Sequence, residues 1–296
     1  MRPLRLPGVL SVSALLTTVC VLAGACNRDA VPNRGDSGSD TAAPGVLPVA
    51  TTPSDWDAEL GDLLLVPSDS DNSAIVIFPA QSDETLPASA AVTLVSPSGD
   101  TAQATVTRTD SLECGDAPMV RLGGASSGAW TVGTVGRSAT LIRMDSIESL
   151  APADSARLAA DIARVASALP MPNGSRFGGL PFAVVDARRF DLDGRQYVVA
   201  HLARRLNQEA QPLEERTFVI AERAAGSNER YVVAYHQRSE GTEDTAEHFD
   251  VLAGMRGRRA PFLLIARDQL SSTKYEILER DATGAWRVRW SRTLGC

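Results

Sequence analysis

From Asp55 onward, the chain is a series of short apolar runs separated by segments that favour turns. Leu63 to Val66 and Ala74 to Phe78 flank the segment Pro-Ser-Asp-Ser-Asp-Asn, and Ala91 to Val95 and Ala102 to Val106 flank Pro-Ser-Gly-Asp. Runs this short, bounded by Gly, Pro, Asp and Ser, are typical of antiparallel strands rather than helices. The pattern predicts a mainly β fold of antiparallel hairpins and meanders, arranged as a sandwich or barrel.

One segment has a helical period instead. Its apolar residues recur at Leu158, Ile162, Val165 and Leu169. Pro170 then ends the pattern, since proline cannot continue a helix. The sequence therefore predicts one amphipathic helix within 146–170, between a β region at 55–145 and an antiparallel β-meander at 171–296. Such a helix usually packs on a sheet through its apolar side.

The segment Asp191-Leu192-Asp193-Gly194 is a turn signal with a second interpretation. It lies between two apolar runs, Phe182 to Phe190 and Gln196 to Arg204, and Asp-Gly in that position favours a two-residue hairpin turn. Asp191 and Asp193 also fit part of a calcium loop, and they are the only candidate metal ligands. The third acidic ligand and the closing glutamate of such a loop are missing. We therefore predict a hairpin and no metal site.

The N-terminus has the three parts of a secretory signal. Arg2 and Arg5 give a positive start, an uncharged apolar stretch runs from Val9 to Gly24, and Ala-Gly-Ala leads into Cys26. The segment resembles the lipobox of bacterial lipoproteins. This resemblance implies a signal peptide at 1–25 and a diacylglycerol on the thiol of Cys26. The alternative is ordinary cleavage that leaves Cys26 free.

Residues 26–54 contain no aromatic side chain and are rich in Asp, Ser, Gly, Thr, Ala and Pro. Such a segment buries too little apolar surface to offset its ordering entropy, so it predicts a disordered tether. The membrane is then a partner through the lipid, and the protein is anchored in the cell envelope. Asn27 follows the cysteine where aspartate would favour retention at the inner membrane in enteric lipoproteins. The resemblance therefore implies the outer membrane, with the body facing the periplasm.

The charge distribution argues against nucleic acid as a partner. The net charge is −7, with 8 basic and 17 acidic residues up to position 150 and 21 and 19 beyond it. Nucleic-acid binding calls for a concentrated basic face, which this distribution lacks. Lys274 is the only lysine. The preference for arginine is typical of a GC-rich genome, with anion binding as the alternative. No cofactor fingerprint occurs, and we predict no cofactor.

Ser126 is the candidate catalytic residue, because Gly124-Ala125-Ser126-Ser127-Gly128 matches the nucleophile elbow of serine hydrolases. That motif works on a strand-to-helix turn above a parallel sheet. Here the segment Trp130 to Val135 predicts another strand, so a hairpin loop is the preferred interpretation. The three histidines, His201, His236 and His248, lack the spacing of a metal site and are interpreted as sheet-surface or satisfied core groups.

The sequence thus predicts a non-catalytic binding or structural module of the cell envelope, with an envelope protein or a glycan as its partner. A secreted hydrolase that uses Ser126 or a pair of carboxylates is one alternative. An accessory subunit of an envelope complex, docking through the predicted helix, is the other.

Cys114 and Cys296 are predicted to form a disulfide, because they are an even pair left after Cys20 and Cys26 in an exported chain. Closing this loop contributes roughly 5 kcal/mol in the chain-entropy model. Intact mass after alkylation in denaturant, without reductant, should show no carbamidomethyl group on the mature body, and reduction should expose two thiols. Two groups without reductant would instead indicate two buried free thiols.

Overall fold

The computed structural model describes residues 63–67, 72–78, 89–110, 117–124, 129–135, 140–207, 212–257 and 260–295. The first strands are β1 (Leu63–Pro67), β2 (Ser73–Phe78), β3 (Ala91–Val95), β4 (Thr101–Asp110), β5 (Met119–Gly123) and β6 (Val132–Val135). They form a closed barrel in the order β1-β2-β5-β4-β3-β6, because β1 pairs antiparallel with both β2 and β6. Small and branched side chains fill it: Ala74, Val76, Val92, Leu94, Ala104, Val106, Val120, Leu122 and Val135.

Short elements and then long strands follow the barrel. The short elements are β7 (Thr140–Ile142), β8 (Asp145–Ser146), a 3-10 turn (Ile147–Ser149) and the helix α1 (Pro152–Ser167). The long strands are β9 (Ala183–Leu192), β10 (Arg195–Leu206), β11 (Leu213–Ala224), β12 (Val232–Thr242), β13 (His248–Arg256), β14 (Pro261–Gln269), β15 (Ser272–Arg280) and β16 (Trp286–Gly295).

The long strands form two antiparallel meanders, each completed by one of the short strands. Sheet I has the order β12-β11-β10-β9-β8 and sheet II the order β16-β15-β14-β13-β7. The predicted hairpin at Asp193-Gly194 joins β9 to β10, with Leu192 opposite Arg195. Asp193 and Gly194 have φ angles of 50° and 73°. This left-handed backbone is the reason that Asp-Gly suits a two-residue turn whose twist matches that of the strands.

Sheet I packs face to face on sheet II through an aromatic core. The rings of Phe218 on β11 and Phe249 on β13 stack with centroids 5.7 Å apart. Tyr197 on β10 stacks on Phe190 at 5.0 Å and meets the edge of Trp286 at 6.0 Å. Aromatic pairs at such distances add to the stability that burial of their large apolar area provides.

The outer face of each sheet is covered as well. Apolar residues of sheet II and of the barrel form one cluster, and apolar residues of sheet I and of α1 form another. The central strands β10, β11, β13 and β14 therefore contain runs of consecutive buried residues in place of an alternating pattern. All residues of Phe262–Ala266 in β14 are at most 4% exposed. Antiparallel strands alternate only when one face meets water, and these central strands have no such face.

Helix α1 lies on sheet I through the apolar side that its sequence predicts. Pro152 occupies the start of the helix, where its missing N–H costs no hydrogen bond. Leu158, Ile162 and Ala166 are buried against sheet I, in the same cluster as Val198 and Val219. The predicted fold class is confirmed: the described chain is mainly β, with antiparallel sheets and an amphipathic helix between two β regions.

A buried ion pair fixes the segment that returns from α1 to sheet I. Arg204 on β10 donates from Nη2 to both carboxylate oxygens of Glu215, at 2.9 and 2.8 Å. Its guanidinium carbon lies 4.4 Å from the ring centre of Phe182. Arg238 donates from Nη1 to the carbonyl of Pro170 at 2.7 Å. Removing one partner of such a pair leaves a buried charge unpaired, so the pair defines where the segment after the helix lies.

Two leucines test the importance of the double-sided burial. Leu263 on β14 is fully buried, whereas Leu270 in the turn after β14 is 80% exposed. Leu263→Ala should lower the free energy of unfolding by roughly 2–5 kcal/mol, because it leaves a cavity between the sheets. Leu270→Ala, the same substitution at the surface, should change it by less than about 0.5 kcal/mol. Urea denaturation followed by tryptophan fluorescence measures both, and equal losses would contradict the layered core.

Candidate functional site

Two of the three histidines meet between the sheets. His201 on β10 and His248 on β13 approach edge to face, with ring centroids 4.6 Å apart. His248 also lies 3.3 Å, from Nε2 to Oδ1, from Asp250 on the same strand. Asp186 on β9 stands opposite His201 in the register of the two strands. We call these four residues the histidine cluster. His236 on β12 is exposed and lies outside it.

The two histidines of the cluster have opposite electrostatic environments. The hydrogen bond to Asp250 raises the pKa of His248 and lowers that of Asp250. Burial lowers the pKa of His201 to about 4, and the nearby His248 and Arg216 act in the same direction. Burial also raises the pKa of Asp186. His201 is therefore neutral at neutral pH.

The cluster is a packing feature more than a reaction centre. His201 is 3% exposed, and neither of its ring nitrogens has a hydrogen-bond partner among the described residues. It is a core group, as predicted, but not a satisfied one. Neither His201 nor His248 lines any of the three cavities described below. A general base must reach the proton that it abstracts, and the sealed position of His201 prevents this.

The aspartates of the β9–β10 hairpin form hydrogen bonds within the protein. Asp191 accepts from Nε2 of Gln196 at 3.4 Å, and Asp193 accepts from Nη1 of Arg256 at 2.9 Å. In the part of the chain that the structure describes, no group of three or more His, Cys, Asp or Glu side chains is placed to hold a metal ion.

Four further predicted residues, Cys26, Cys114, Ser126 and Cys296, lie outside the described residues. The elements around Ser126 are described. β5 precedes it, residues 129–131 form no helix, and β6 follows. Both strands pair antiparallel in the barrel. The strand, turn and helix order that a nucleophile elbow requires is therefore not formed by these neighbours.

A polar cavity of about 350 Å³ lies between α1, sheet I and the connection from β11 to β12. We call it the arginine pocket. It is lined by Leu150, Asp154, Arg157, Leu158, Asp161, Arg164, Arg189, Arg223, Asn228, Glu229, Arg230 and Tyr231. The lining thus contains five guanidinium groups and three carboxylates. The excess positive charge favours an anion in the cavity.

Arg223 on β11 is held in the arginine pocket by uncharged groups. Its Nε and Nη2 donate to Oε1 of Gln196, at 3.1 and 2.6 Å. Its guanidinium carbon lies 4.4 Å from the ring centre of Tyr231. Tyr231 is buried, and its hydroxyl donates to the same oxygen of Gln196 at 2.7 Å. These contacts fix the direction of the guanidinium and leave its charge uncompensated.

The other arginines of the pocket differ in this respect. Arg164 contacts Asp161 at 2.5 Å, and Arg157 lies 3.8 Å from Asp154. Arg189 lies 3.9 Å from Asp145, at the limit of an ion pair. Within the described ranges, neither Arg223 nor Arg230 forms an ion pair. The free positive charge of the pocket is therefore concentrated beside Tyr231.

This arrangement is suited to binding and not to proton transfer. A guanidinium remains protonated at any physiological pH and offers planar, paired donors that match a carboxylate or phosphate. Burial raises the pKa of Tyr231, against the influence of Arg223 and Arg189, so the phenol also keeps its proton. The guanidinium groups and the phenol of the pocket can therefore hold an anion by donating hydrogen bonds to it.

Two more cavities lie nearby in the fold. One of about 330 Å³ is lined by Thr93, Val95, Thr101, Gln103, Thr134, Leu141 and Met255, between the barrel and sheet II. Another of about 310 Å³ is lined by Leu141, Ile142, Arg143, Asp145, Arg189, Phe190, Asp191, Leu192 and Arg256. The first has no charged lining residue, and the second shares Arg189 with the arginine pocket.

The sequence analysis missed Arg223 and Tyr231. They lie on either side of the turn after β11, and Gln196 is the residue that stands opposite Arg223 on β10. The only indication of the site is the strand register, which places the neutral amide of Gln196 opposite Arg223. This register could not be derived from the sequence, because it depends on how β10 pairs with β11.

Comparisons with protein families, with curated proteins and with solved structures give no match for this chain. Among the described residues, no helix is both long and apolar enough to cross a membrane.

The histidine cluster predicts a specific dependence of stability on pH. The unfolded chain binds a proton at His201 near pH 6.5, whereas the folded protein does so only near pH 4. Protonation therefore favours unfolding: the effect is absent above about pH 7 and grows as the pH falls from 6.5 to 4, to ~3 kcal/mol at most. His201→Leu should lose less stability than the wild type between pH 7 and pH 4.5 in urea denaturation.

The control for this measurement is His236→Leu, which alters an exposed histidine of sheet I and should keep most of the wild-type pH dependence. A His201→Leu variant as acid-sensitive as the wild type would show that the neutral buried imidazole does not limit stability.

Proposed function

We propose that this protein is a lipid-tethered module of the cell envelope whose folded body binds an anionic ligand in the arginine pocket and does not transform it. The location in the cell envelope is inferred from the lipobox-type leader, Cys26 and the segment 26–54. The binding activity comes from the body. The protein thereby holds its ligand at the membrane surface, on the side to which the chain is exported.

One observation carries the proposal: the guanidinium of Arg223 is fixed by Gln196 and Tyr231 and has no carboxylate partner among the described residues. Many of the described arginines pair with a carboxylate, including the more exposed Arg195 and Arg287. A fixed, uncompensated guanidinium in a concave site binds an anion with little loss of side-chain entropy, because the groups that hold it have already ordered it.

The two alternatives have less support. A hydrolase needs an accessible base beside its nucleophile. His201 is sealed in the core, and His248, which is 40% exposed and pairs with Asp250, lines none of the three cavities. An accessory subunit that docks through α1 needs an exposed apolar surface on the helix. The apolar residues of α1 lie against sheet I, and its polar side lines the arginine pocket. In this proposal the role of α1 is to form one wall of the arginine pocket.

Arg223→Gln tests the proposal directly. It removes the charge and keeps a polar side chain of moderate length, so binding of galacturonate or inorganic phosphate should weaken roughly tenfold or more. Isothermal titration calorimetry on the full lipidated chain, in a non-ionic detergent, gives the dissociation constants.

Arg287→Gln is the matched control, because Arg287 is exposed, pairs with Asp281 at 3.0 Å and does not line the pocket. It should leave the affinity unchanged. The proposal is wrong if the wild type binds neither anion, or if both variants bind as the wild type does.

A further inference from the structure

The arginine pocket shares a lining residue with a second charged cavity. Arg189 on β9 lines the arginine pocket and also the cavity of about 310 Å³ that contains Arg143, Asp145, Asp191 and Arg256. We call this second cavity the junction cavity. Arg189 is partly exposed, and its only ion-pair partner among the described residues is Asp145, at 3.9 Å. The guanidinium of Arg189 can therefore contact a ligand group in either cavity.

The two cavities have different charge balances. Arg223 and Arg230 give the arginine pocket its free positive charge. In the junction cavity the arginines already have partners: Arg143 contacts Asp145 at 3.4 Å, and Arg256 contacts Asp193 at 2.9 Å. These pairs are well exposed, with Arg143 at 78%, so they are weak and exchange readily with a ligand or water.

The alternation of cations with carboxylates restricts the chemistry of a ligand that occupies both cavities. A densely charged chain, such as polyphosphate, would place anions against Asp145, Asp154, Asp161 and Asp191. A chain whose carboxylates are separated by hydroxyl groups meets no such repulsion. Its carboxylates face the guanidinium groups, and its hydroxyls donate to the aspartates. A linear oligosaccharide of acidic sugars carries carboxylates and hydroxyl groups in this alternation.

We propose that the arginine pocket and the junction cavity form one groove for a linear oligosaccharide with spaced carboxylates, with Arg189 at the point where the two subsites meet. This inference depends on the proposed function, since the first carboxylate is the anion held by Arg223. To the proposed anion binding, the inference adds a ligand class, the acidic oligosaccharide, and a second subsite in the junction cavity. Each further acidic sugar that reaches the junction cavity binds intramolecularly, at a high effective concentration.

Chain length is the variable that tests the groove. The probes are galacturonic acid and its linear dimer and tetramer, titrated into the full lipidated chain in a non-ionic detergent. The tetramer should bind at least tenfold more tightly than the monomer, beyond the about fourfold statistical gain from its four carboxylates. Arg256→Gln should remove most of this difference and leave the monomer affinity unchanged, because Arg256 lines only the junction cavity and pairs with Asp193, which does not contact Arg189.

The outcomes separate the two proposals. If the wild type binds neither galacturonic acid nor inorganic phosphate, the proposed anion-binding function itself fails. If phosphate binds in an Arg223-dependent way and no uronate binds, the function stands and the groove for an acidic glycan is wrong. If the monomer binds in an Arg223-dependent way and the tetramer gains no more than the statistical factor, the function stands and the extended groove is wrong. If a polyphosphate of equal charge competes more strongly than the tetramer at 150 mM salt, the assignment to a spaced acidic glycan is overturned.

Discussion

The burial of sheets I and II on both faces is the constraint on which the rest of the structure depends. The stacked rings of Phe218 and Phe249 hold the two sheets together, and the barrel and α1 cover the faces that remain. The four layers also leave few places where polar chemistry can reach solvent. The cavities accordingly lie at the seams between layers, where helix meets sheet and barrel meets sheet.

The same constraint explains the polar groups inside the fold. Arg204 and Glu215 are buried together, and the hydrogen bonds from Nη2 of Arg204 to both carboxylate oxygens offset part of the free energy lost when the two charges leave water. Glu276 on β15 is 1% exposed and is surrounded by Arg267, Lys274 and Gln237. Gln237 belongs to sheet I and Glu276 to sheet II, so this network also fixes how the two sheets are aligned. Apolar packing alone would tolerate a sliding of one sheet over the other.

The sequence was sufficient for the elements and insufficient for their assembly. The short apolar runs and the spacing of Leu158 and Ile162 predicted the strands and the helix, because local periodicity reflects which faces are buried. The closure of β1 to β6 into a barrel was not predictable as such. Nor was the pairing of β7 and β8 with the C-terminal sheets, since each depends on contacts between distant parts of the chain.

The candidate site was harder still to predict. Motif reasoning singled out Asp191 and Asp193, which proved to lie at the end of β9 and in the turn after it, each with a partner in the protein. It also singled out Ser126, which lies outside the described residues. Arg223 belongs to no motif. Its role comes from three contacts that join β10, β11 and the start of β12, and the cavity around it exists only because α1 crosses sheet I at that point.

The position of the arginine pocket across the seam between α1 and sheet I has a thermodynamic consequence. Asp154, Arg157 and Arg164 reach the cavity from the helix, whereas Arg189 and Arg223 reach it from the sheet. Occupancy of the pocket and docking of the helix are thus linked equilibria, each favouring the other by the same free energy. A bound ligand therefore stabilises the packing of α1 on sheet I and protects the backbone amides of α1 from exchange with solvent.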